Sequence, residues 1–176
     1  MKSLNPLLGS LALLFMVSTS AAQQINKARQ GSFALTNATI ITVTQDTVTG
    51  HVVIEDGRIT GVGDVNLPSG IEQMNCEGLF VYPGMIDAGS QLGVEEVGSI
   101  SLTLDHNELG DLRPQMKALT AVNPNSTHIP VTRVNGITTA LVVPSGGRLP
   151  GTASLINLVG YTPEQMYAGF DAIVLN

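Results

Sequence analysis

The chain has 176 residues, with 12% charged and 43% hydrophobic positions, 19 Gly and 9 Pro. Length over roughly 150 residues per domain predicts one domain, or one and a small annex. The composition excludes a disordered chain, which needs low hydrophobicity, and a coiled coil, which needs abundant Glu, Lys and Arg. Fourteen acidic against eight basic residues, net charge -6 with no basic cluster, exclude nucleic acid as a partner because nothing gathers positive charge for a phosphate backbone.

The N-terminus reads as an address. Lys2 precedes an apolar stretch over residues 7–17, and the small residues Ser18, Thr19, Ser20, Ala21 and Ala22 follow. A charged start, a short apolar core and a small-residue exit are the order of a secretory signal peptide, and the run is shorter than the ~20 residues that span a bilayer. The expectation is export and cleavage after Ala22, giving a secreted or periplasmic protein with no membrane anchor after cleavage. Cys76 is the only cysteine. No intrachain disulfide or cysteine metal cluster can form, and Cys76 is expected as a buried apolar residue in a strand.

Residues 23–83 are expected to form a small β-sandwich-like domain, with strands over 33–44, 51–55, 58–62, 71–76 and 79–82. Asp56-Gly57 lies between two β-rich runs, the strongest short hairpin signal, because a type I′ turn needs positive φ at both central positions. At Pro83-Gly84 the pattern changes. Continuous apolar runs over 85–88, 136–143, 154–159 and 172–175 predict strands buried on both faces, as in a parallel sheet covered by helices. Helices are expected over 114–122 and 163–170, each opened by a Pro. The fold class is thus α/β, with the β unit first.

Two segments together, Gly50 to Gly63 through Asp56-Gly57-Arg58, and Glu77-Gly78-Leu79-Phe80-Val81-Tyr82-Pro83-Gly84-Met85-Ile86-Asp87-Ala88, closely resemble the N-terminus of metal-dependent amidohydrolases. The likeness is to the imidazolonepropionase-like and dihydroorotase-like branch, and it is best over residues 33–93. It implies that residues 84–176 are the first strands of a (β/α)8 TIM barrel, incomplete here because such a barrel takes ~250 residues. In that family the first barrel strand ends in Asp-x-His-x-His, whose two imidazoles bind a divalent metal such as zinc. Residues two apart on a strand point to the same side, so both rings reach one ion. Here Asp87 matches the motif's Asp, but Gly89 and Gln91 occupy the two His positions. The metal is therefore implied by the family and not supported by this chain, and the family's later ligands would lie beyond residue 176.

Other groups compete for the role of site. Asp105, His106, Asn107 and Glu108 read either as an improvised ligand loop or, in the reading preferred here, as a solvated acidic loop. Glu95-Glu96 is a carboxylate pair, but adjacent carboxylates rarely sit in different environments, so it too reads as solvated. His51 belongs to the hairpin, remote from any barrel mouth. The loop from Pro144 to Gly151 contains Gly146, Gly147 and Arg148, which can hold an anion after a buried strand, so it is either a substrate loop or a plain connector.

The resemblance implies an exported hydrolase of carbon–nitrogen bonds other than peptide bonds, taking cyclic, amide-like small molecules and inactive as this isolated chain. The alternative is a non-catalytic binding or structural relative that has lost the metal site. In either case the remainder of the barrel or an oligomeric partner is expected to cover it.

Overall fold

A computed structural model describes residues 31–44 and 46–176. The expected signal peptide, and residues 23–30 of the β unit, lie outside the described residues.

The first five strands are β1 (Phe33–Ile40), β2 (Val48–Glu55), β3 (Arg58–Gly63), β4 (Glu72–Asn75) and β5 (Phe80–Val81). They make one sheet in the order β3-β2-β1-β4, with β5 also on β1. Strand β1 buries alternate residues, Ala34, Thr36, Ala38 and Ile40, as period 2 requires of a sheet covered on one face. Ala38 and Ile40 pack with Val52 of β2 and with Cys76, which is buried just after β4. The hairpin forms as expected, with φ of 50° at Asp56 and 75° at Gly57. The sandwich is a correction. These strands form a single sheet, because β4 and β5 both pair in parallel with β1 and so extend that sheet instead of founding a second layer.

The second sheet contains β6 (Met85–Ser90), β7 (Ile137–Val142), β8 (Gly151–Asn157) and β9 (Tyr167–Val174), in that order. Pairing of β6 with β7 is parallel, whereas β7–β8 and β8–β9 are antiparallel. The expectation of a parallel sheet therefore holds for one pair and fails for the next two. The crossover from β6 to β7 is long enough to reverse the chain twice, but the links after β7 and β8 simply turn it back. Burial on β7 also alternates, with Ala140 and Val142 inward, so this sheet is covered on one face along that strand.

Three short helices flank it: α1 (Ala118–Ala121), α2 (His128–Val134) and α3 (Pro163–Met166). Helix α1 lies against β8 and α2 against β7. The helix expected over 114–122 shrinks to α1 because the preceding segment runs beside residues 149–152. Arg113 N–H donates to Leu149 O and Thr152 N–H to Met116 O, so these backbone groups are satisfied between two segments and not within a helix. The helix expected over 163–170 stops at Met166, and its β-rich continuation enters β9. Thr162 caps α3, its hydroxyl accepting from Gln165 N–H at 3.3 Å. Helix α2 had no counterpart in the sequence reading. The core under these helices joins Ile129, Val122, Val94 and Met166 to Val142 and Ile156 of the sheet.

Candidate functional site

The parallel strands β6 and β7 end side by side, and Val143 N–H donates to Ser90 O at 2.8 Å just past both. Two loops converge there. After β6 the chain continues through Gln91 to Glu95, and Glu95 pairs with Leu104 in an isolated antiparallel bridge. Asp105 N–H donates to Val94 O, which sets His106 beside Glu95. After β7 the chain reaches Ser145, whose N–H donates to His106 O at 2.8 Å. Residues far apart in sequence are thus fixed by backbone hydrogen bonds before any side chain is considered.

His106 stands at the centre. Its Nε2 is 3.3 Å from Glu95 Oε2, with side-chain exposures of 12% for His106 and 32% for Glu95. Its Nδ1 is 2.7 Å from Ser145 Oγ and 3.2 Å from Gln91 Nε2. Ser145 and Gln91 open onto a cleft of about 400 Å³ that Gly89, Ser90 and Asn176 also line. A second, open cleft of about 460 Å³ lies on the other side of Gln91, with Glu95, Glu96 and His128. The loop over 105–108 and the pair Glu95-Glu96, both read from sequence as solvated, therefore supply the most connected polar cluster at the strand ends. Nothing local signalled it, because Glu95, His106 and Ser145 meet only through the fold.

Asp87 lies on β6, and its Oδ1 accepts from Gly89 N–H at 3.2 Å, a contact within its own strand. Gly89 offers no side-chain atom to ligate a metal, and the Gln91 amide is turned to His106. Among the described residues no three His, Cys, Asp or Glu side chains gather as a metal-holding group. The residues present do not fit the divalent metal that the resemblance implies.

The Gly-rich loop has its own internal ties. Arg148 Nε and Nη2 both lie 2.6 Å from Asp111 Oδ2, and Arg148 N–H donates to Asp111 Oδ1 at 2.9 Å. Hydrogen bonds first from the Arg148 side chain and then from its backbone hold the Asp111 carboxyl below its ordinary pKa. The positive charge of Arg148 is therefore already partnered at this loop. Beneath it Arg113 is buried, and its guanidinium donates to the carbonyls of Glu108, Ser145 and Gly146. Its Nε has no partner among the described residues. Arg113 fastens the Ser145 loop to the His106 loop. His51 lies in β2, where Nδ1 accepts from Asn37 N–H at the irregularity of β1.

No family model matches the chain, and no curated protein does. The fold is similar to that of an amidohydrolase from Thermotoga maritima MSB8, with a TM-score of 0.73 and 28% identity over 77% of this chain. This chain covers 36% of that one, about a third of its length. A D-hydantoinase (TM-score 0.33, 34% identity, 38% of this chain and 14% of that one) and a molinate hydrolase (TM-score 0.44, 21% identity, 64% and 24%) also align, too loosely to carry an argument.

Proposed function

We propose that the protein is an exported hydrolase of amidohydrolase type, acting on carbon–nitrogen bonds outside peptide linkages in small cyclic amides. The observation that carries this reading is the cleft at the carboxyl ends of the parallel pair β6–β7, the position at which α/β folds hold their ligands. The likeness to the Thermotoga amidohydrolase supports the hydrolase class. In this reading β6 and β7 are the first two strands of a TIM barrel, and further strands of the barrel or a partner subunit complete it. Export rests on Lys2, the apolar run and Ala21-Ala22.

The test is turnover. The full-length gene product, expressed with its natural N-terminus, is incubated with five- and six-membered cyclic amides and imides, and ring opening is followed by NMR with and without chelator. Ring opening above the uncatalysed rate supports the reading. Binding of such rings without turnover would replace it with the non-catalytic one, which Gly89 and Gln91 favour. Fractionation of the producing cells tests export, which protein found only in the cytoplasm would overturn; sequencing the N-terminus of exported protein tests cleavage after Ala22, which intact residues 1–22 would overturn.

A further inference from the structure

We propose that Ser145, His106 and Glu95 form a nucleophilic relay that hydrolyses acyl compounds through an ester on Ser145. The proposal rests on the hydrolytic reading of the same cleft, but it supplies chemistry that needs no metal. Three observations build it.

The first is the ring's proton. Glu95 Oε2 lies 3.3 Å from His106 Nε2, and because a carboxylate only accepts hydrogen bonds, the neutral tautomer with its proton on Nε2 is the one that suits this contact. In that tautomer Nδ1 presents a lone pair to Ser145 Oγ at 2.7 Å, with the Gln91 amide nitrogen 3.2 Å from the same atom. This is nucleophile, base and orienting carboxylate in series, each within reach of the next. The serine meets Nδ1 and the carboxylate Nε2; either ring nitrogen serves as base once the other is held.

The second is rigidity. Ser145 N–H donates to His106 O at 2.8 Å, so backbone and side chain both join nucleophile to base. Arg113 ties the carbonyls of Ser145 and Glu108 together from beneath. A catalytic pair has to be held this closely for proton transfer to compete with solvent.

The third is access. His106 is nearly enclosed, whereas Ser145 opens to the cleft beside Gly89 and Gln91. The N–H of Gly146, the residue after the nucleophile, donates to no acceptor among the described residues, which leaves it free to serve a developing oxyanion in this proposal.

The steps balance. The Ser145 O–H bond breaks, its proton passes to His106 Nδ1, and Oγ bonds to the acyl carbon while Glu95 stabilises the imidazolium. The bond from carbon to leaving group then breaks, and the leaving group takes the proton from Nδ1. A water molecule repeats the sequence: its oxygen bonds to the acyl carbon as one of its protons goes to Nδ1, and the carbon–Oγ bond then breaks as Oγ takes that proton from Nδ1, restoring Ser145 and the neutral imidazole. One water is consumed and nothing is oxidised.

The experiment treats the full-length protein with a fluorophosphonate, with adducts mapped by mass spectrometry and hydrolysis of 4-nitrophenyl esters followed in parallel. The expected result is one dominant adduct on Ser145, absent in Ser145→Ala, with labelling and ester hydrolysis slowed about 10²-fold or more in His106→Gln. Glu95→Gln keeps a hydrogen-bonding side chain and lowers both rates while circular dichroism stays that of the parent. Labelling of Ser145 no faster than of Ser90 or Ser126, or equal in parent and His106→Gln, would overturn the proposal and leave His106 a fastener between loops. The wild-type comparison of Ser145 with those two serines decides the matter even if a variant fails to fold. A labelled Ser145 in a protein that opens no cyclic amide sinks the substrate reading alone. Ring opening that survives Ser145→Ala sinks the relay alone.

Discussion

Replacing Gly147 by alanine separates two costs that are usually confounded. Gly147 has φ of +68°, and an added Cβ would lie 2.8 Å from the carbonyl oxygens of both Gly110 and Asp111 and 3.0 Å from Asp111 Cα. Gly70 has φ of +78° with nothing within 4 Å of an added Cβ. Both substitutions carry the left-handed backbone penalty, ~1–2 kcal/mol, and both recover ~0.4–1 kcal/mol from a less flexible unfolded chain. Only Gly147→Ala must also push backbone aside, at ~1–3 kcal/mol as for other overpacked sites. Asp111 O already accepts from the N–H groups of Arg148 and Leu149, so the displaced atom belongs to a bonded crossing that cannot yield freely. The difference between the two variants, ~1–3 kcal/mol in favour of Gly70→Ala, is the predicted quantity, since the shared costs cancel. Urea unfolding followed by circular dichroism measures it; the chain has no tryptophan for fluorescence. Equal losses in the two variants would refute the close approach of the 110–111 and 147 backbones, and with it the packing of the loop that carries Ser145.

Two further predictions concern the core and the pH response. Ile156, fully buried at 0% exposure, should cost ~2–5 kcal/mol when cut to alanine, and Ile173, 73% exposed in the neighbouring strand, less than ~1 kcal/mol; comparable losses by urea titration would contradict the burial of Ile156 in β8 against the exposure of Ile173 in β9. Asp111 is held below its ordinary pKa of 3.8, so its contribution to stability is present above that value and disappears as the pH falls through the lowered one. In Arg148→Gln the Asp111 titration followed by NMR should rise to the ordinary range, and an unchanged titration would remove Arg148 as the cause.

The features legible in the sequence are those decided locally. The Asp56-Gly57 turn is written in residues that tolerate positive φ, and the strands around it follow from β-branched alternation. Pairing direction is not local. The apolar runs that form β8 and β9 look the same whether the neighbour runs parallel or antiparallel, so reading continuous apolar runs as parallel strands fails for these two. Helix α2 was hidden by Pro130 and by the β-branched Val131, Thr132 and Val134, poor helix formers that its packing on β7 overrides. That residues 89 and 91 are Gly and Gln, neither with an imidazole, is readable directly. The cluster around His106 is not, since its members come from the two loops after β6 and β7, joined by backbone bonds that no spacing encodes.

Cys76 offers a different kind of reach. It is 5% exposed, its N–H is bonded to Thr36 O at 2.7 Å, and it is the only thiol in the sequence. A thiol reagent therefore meets a single target, one that becomes accessible only when β4 leaves β1. The rate of its modification in native buffer is a clock for the opening of the N-terminal sheet alone. Set beside the urea transition of the whole chain, it reports whether the two sheets come apart as one cooperative unit or as two.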